Sequence, residues 1–199
     1  MSAFLGPIHF WLYNKIQLQE GLIREIAEMA EEKGWMTDTS SYVNPEDRPL
    51  EELIDTGNIH GWLQENIHDC EGRYASLVTK IMEKAPESFG ETKETAFEYG
   101  KKHAVPAETT ASDAYKLLED SLLNGMPCDH ANQVLTREED HVVWQRAQNL
   151  HAGYWIDAGG DSEDYDRLTD EFVRGLLCGT NLTYSRTAPD RFEILAAEA

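Results

Sequence analysis

The sequence predicts an α+β protein: a long N-terminal antiparallel helix pair, then helices packed on a small antiparallel sheet of two hairpins. Three observations carry that expectation. Residues 7–33 and 58–85 repeat apolar side chains every three or four positions, the period of a buried helical stripe. Residues 133–136 with 142–146, and 182–186 with 192–194, are enriched in β-branched and aromatic residues or alternate with period two, and each pair is joined by a turn-forming link. A chain of 199 residues that is 41% hydrophobic can also bury a core without covalent staples. Residues 1–86 read as a helical hairpin region and 87–199 as an α+β ligand-binding-like part, joined in one compact unit.

The first helix is expected over 7–33, with Pro7 pre-set for its first turn and Gly34 as its stop. Leu12, Ile16, Ile23 and Ile26 form its apolar stripe, and His9, Tyr13 and Glu20 fall on a neighbouring line. Residues 34–57 are a long connection with a short helix near 50–54. Asn58 caps the second long helix, which Pro86 ends, and Leu63, Ile67, Cys70, Tyr74, Leu77 and Ile81 make its packing seam. Such a seam suits the partner helix or a homodimer interface equally well.

Ser88 and Glu91 have capping-box spacing for a third helix through Ala104, and a fourth covers 112–123 and closes at Asn124-Gly125. The segment 131–150 can be drawn as a hairpin or as one helix. The hairpin is favoured, because 136–141 holds no apolar residue and a helix there would run nearly two turns without a core contact. A helix over 163–178 and a second hairpin complete the layer.

The formal net charge of −20 argues against nucleic acid or an anionic membrane surface as partner, since phosphate binding rests on Lys and Arg. The three cysteines lack a CxxC spacing, and neither a signal segment nor an apolar span is visible, so a reducing cytoplasm is expected.

The candidate chemistry clusters around 125–161 and the second helix. Cys128 and His130, two apart on a segment expected to be extended, would project to one side, and a thiolate with an imidazole there suits zinc or iron. Gln64, His68 and Glu71 share one helical line bordering the seam, which makes His68, or else His151, the third metal ligand and Glu71 an orienting or proton-shuttling carboxylate. His151 completes the catalytic candidates. His9, Tyr13, Trp62, Trp144 and Trp155 are candidates for pocket walls.

The order of a Gly125-bearing corner, a strand pair, Tyr154-Trp155, a helix ending Phe172-Val173-Arg174-Gly175-Leu176-Leu177, then Tyr184 and Phe192-Glu193-Ile194, resembles the 4-vinyl-reductase ligand-binding domains and the related aminothiazoline-carboxylate hydrolase group. The resemblance spans about 96–195 and implies a pocket between helices and sheet for a small organic ligand, beside a metal. Those families carry cysteines near the final strands where this chain has Arg186 and Glu193, so no catalytic residue is transferred.

The leading expectation is a cytoplasmic small-molecule-binding protein acting as a metal-dependent hydrolase or lyase, its zinc- or iron-bound water ionising near about pH 7. The helical drawing of 131–150 leads elsewhere. Glu65/His68 and Glu138/His141, with Glu20 and Glu98, then resemble the dinuclear iron or manganese site of ferritin-like bundles. A third expectation is a non-catalytic ligand sensor or scaffold.

Overall fold

The structure, a computed structural model, describes residues 5–197. Seven α-helices and four strands follow in the order α1 (Pro7–Glu32), α2 (Leu50–Leu53), α3 (Ile59–Lys84), α4 (Phe89–Lys102), α5 (Ala111–Ser121), β1 (Asn132–Arg137), β2 (His141–Arg146), α6 (Ala152–Asp157), α7 (Ser162–Leu176), β3 (Leu182–Ala188) and β4 (Arg191–Ala196). One antiparallel sheet has the order β1-β2-β4-β3, so the two expected hairpins join through β2 and β4. The α+β expectation holds. No helix among the described residues is long and apolar enough to cross a membrane.

The long helices form where their stripes predict, and the stripes meet. Ile16, Ile23 and Ile26 of α1, and Leu63, Leu77 and Ile81 of α3, are all buried in one apolar cluster that continues into the sheet, with no break at residue 86. Asn58 caps α3 by accepting from Gly61 N at 3.2 Å. The connection 34–57 is strapped down. Glu31 accepts from Thr39 N and Oγ1 at 2.7 and 2.6 Å, Tyr13 Oη donates to Arg48 O, and Arg73 donates to Tyr42 O.

α4 and α7 cross in direct backbone contact. A Cβ on Gly100 would overlap the carbonyl oxygen of Phe172, and one on Gly175 that of Phe97. Val105 N extends the joint by donating to Leu176 O at 2.9 Å. α7 is clamped to the sheet by a partly buried ionic lattice. Arg146 grips Asp166 with two bonds of 2.6 and 2.9 Å, Arg186 lies 3.0 Å from Asp170, and Tyr184 Oη donates to Asp170 at 2.8 Å.

Local expectations fail at three places. Ser88 does not cap α4: it sits in right-handed helical backbone within a 3-10 turn that Pro86 starts, and its buried hydroxyl has no partner among the described residues. α5 ends at Ser121 because Leu122 turns extended, so Gly125, at φ 70°, shapes the following corner instead of closing the helix. Residues 127–130 are not extended. Pro127 opens a 3-10 turn whose Asp129 carboxylate accepts from Met126 N at 2.8 Å, and His130 leaves it left-handed at φ 48°.

Candidate functional site

The corner at Asn124–His130 faces the middle of α3 across a gap, and α6 closes the third side. Between them lies a cleft of about 230 Å³, lined by Gln64, Ile67, His68 and Glu71 of α3, by Gly125 and Asp129 of the corner, and by Leu150, His151 and Tyr154. Asn149 shapes the last wall: its side-chain oxygen accepts from His151 N and Ala152 N, both at 3.1 Å, and starts α6.

The floor is a buried polar relay. His151 and Glu71 are only 3% and 2% exposed, and His151 Nδ1 lies 3.0 Å from Glu71 Oε2. Gln19 of α1 donates to the other carboxylate oxygen at 3.0 Å. The ring is stacked on Tyr165 of α7, centroids 3.6 Å apart and planes 12° from parallel. Its second nitrogen, Nε2, is 3.3 Å from Asn124 Oδ1, a longer contact than the others. With Nδ1 turned to the Glu71 carboxylate, Nε2 is the ring nitrogen that faces the Asn124 amide at the corner.

The mouth carries a second pair. His68 is exposed, and Tyr154 Oη stands 2.9 Å from its Nδ1. Burial pushes the Tyr154 phenol up, and the charges of Glu71 and Asp129 add to that. In the wall behind the relay, Cys70 is fully buried and its thiol is pushed well up by burial, which leaves it an inert core residue.

The structure thus brings together three of the residues singled out from sequence, His68, Glu71 and His151. Cys128 and His130 do not join them. Both are exposed on the 3-10 corner, outside the cleft lining, and among the described residues no three His, Cys, Asp or Glu side chains converge as a metal-ligand group. The residues present do not fit the expected zinc or iron centre. The ferritin-like arrangement also lacks its geometry. Glu138 and His141 flank a tight β-turn, Glu138 N donating to His141 O at 2.8 Å, and His141 pairs with Glu193 across the sheet. Glu20 is committed to Arg73.

The remaining wall candidates lie elsewhere. His9 is buried at the start of α1, where its Nδ1 accepts from Gly6 N. Tyr13 holds the 34–57 connection. Trp144 stacks on Phe192 in the sheet core, and Trp155, fully buried, meets Tyr74 edge-on. Sequence reasoning missed Gln19 and Asn124, the two amides that end the relay. Gln19 had a signal, since it lies three residues from both Ile16 and Leu22 on the buried stripe.

Fold and site together define an α+β protein with a buried Glu71–His151 pair at the bottom of a small polar cleft. No known protein family matches the chain, and neither does any curated protein or solved structure.

Proposed function

We infer that the protein binds a metabolite-sized molecule in this cleft and moves a proton on it, in the manner of a hydrolase or lyase. The observation that carries the reading is the buried Glu71–His151 pair opening on a cleft. A carboxylate on Nδ1 and an aromatic plate under the ring hold one tautomer and one orientation, which a general base requires. The long Asn124 contact is the one that a ligand hydroxyl, donating to Nε2, replaces, since catalytic hydrogen bonds are often loose before substrate arrives. His68 and Tyr154 then stand at the mouth to receive the ligand's polar end. The volume lies below the roughly 300–1,000 Å³ of drug-sized sites, which favours a small ligand.

The test is turnover of a panel of small esters, amides and hydroxy acids, followed by NMR with ring-labelled histidine. Wild type should convert at least one compound, with the His151 ring signals shifting as it binds. Glu71→Gln should lower kcat by about 10²–10⁴. Binding without turnover would leave a ligand sensor. An inert panel with unmoved His151 signals, or a Glu71→Gln variant at the wild-type rate, would overturn the acid–base reading.

A further inference from the structure

On the far side of the Asn124–Gly125 corner lies a second cavity of about 190 Å³, whose lining includes Trp11 and Lys15 of α1, Glu119 of α5, Asn124, His130 and Asn132. Lys15 is the unusual member. It is 3% exposed, and among the described residues its amine has no hydrogen-bond or ion-pair partner, only the Trp11 ring 3.9 Å away. By contrast Lys33, Lys101 and Lys102, all exposed, and the half-buried Lys80 each pair with a glutamate. Taking an ammonium largely out of water is costly, and only the Trp11 ring and the more distant charges of Glu119 and Asp120 offset part of that cost. The Glu119 and Asp120 carboxylates of α5 are the charges that act on the amine, so an anionic ligand meets repulsion there.

We propose that this cavity is a second ligand site, in which the Lys15 amine forms an imine with the carbonyl carbon of a small aldehyde or ketone. The neutral amine attacks the carbonyl carbon, and one amine proton passes to the carbonyl oxygen to give a carbinolamine. The hydroxyl then leaves as water, the nitrogen giving up its remaining amine proton as its lone pair forms the carbon–nitrogen double bond, and hydrolysis reverses it, with no oxidant or reductant involved. Glu119 is placed to carry the proton, its carboxylate fixed by a 2.8 Å bond from Asn132 Nδ2. Burial also pushes the amine down to about 8, against the pull of Glu119 and Asp120. About one molecule in ten then has the nucleophilic form at pH 7, against about one in a few thousand for an exposed lysine.

The experiment exposes the full chain to propanal with cyanoborohydride, whose hydride traps the imine as a stable secondary amine, and maps the adducts by peptide mass spectrometry. Lys15 should label on the order of a hundredfold faster than Lys33 or Lys102 at pH 7. Its rate should rise to half its maximum near pH 8, as the amine facing Glu119, Asp120 and His130 loses its proton. Peptide mapping separates this adduct from one on an α-amino group, which titrates in the same range. Lys15→Arg should abolish it and leave surface labelling as it was. The wild-type pH profile needs no variant, so a misfolded substitution does not blunt the test. Adducts spread over surface lysines with Lys15 unmodified, or a Lys15 profile rising only above about pH 10, would overturn the proposal.

Discussion

Replacing Lys15 by Met should make the protein more stable, which is unusual for a substitution in the middle of a helix. The amine's fall from an ordinary 10.5 to about 8 corresponds to about 3 kcal/mol of destabilisation at pH 7. The contact with the Trp11 ring offsets about 1 kcal/mol of that. Met keeps the apolar stem and removes the charge, so a net gain of about 2 kcal/mol is expected, or about 4–8 °C in Tm for a chain of this size. The sign follows from proton counting. Between about pH 8 and 10.5 the unfolded chain holds a proton at Lys15 that the folded one has released, so wild-type stability gains with rising pH across that window. Below about pH 8 both states are protonated and the full penalty applies. Thermal denaturation of both proteins from pH 6 to 10.5 checks this, and the difference between them cancels the tyrosines that titrate above pH 10. A variant that melts lower at pH 7, or a gap that stays constant as pH rises, would refute the reasoning and imply that Lys15 is paired in solution.

Three further outcomes are expected. Glu71→Gln leaves one of the two donors on the carboxylate, His151 or Gln19, without an acceptor; the lost charge-assisted bond should cost about 1.5–3 kcal/mol, read as a Tm drop of about 3–12 °C. Arg146→Met leaves Asp166 buried with only Arg186 nearby, and the urea midpoint should fall by the equivalent of about 3 kcal/mol. Gly175→Ala forces a methyl into the Phe97 carbonyl, so α4 and α7 must separate; soluble yield and Tm should drop well beyond the roughly 1–3 kcal/mol of an ordinary overpacked core.

Much of the architecture was legible because it depends on local pattern. The polar run 137–140 turned the chain between two β-rich segments, and the seams of the long helices gave their buried faces. The site was legible only in pieces. Glu71 stood out beside the buried Cys70, but its partner lies 80 residues away and is set by how α6 docks on α3, which no spacing encodes. The corner was misread because an extended drawing ignored Pro127 as the start of a tight turn and Asp129 as the side chain that closes it. Lys15 was passed over for its charge. Three residues after Leu12 and beside Ile16, it occupies a core-facing position, and that conflict between residue type and place was the available signal.

Asn124 belongs to two rooms at once. Its carboxamide touches the His151 ring on one side, while the residue forms part of the wall around the Lys15 amine on the other. A ligand on one side that displaced this amide would alter the wall on the other. Thermodynamic linkage would then make the effect of each ligand on the other's affinity equal in both directions.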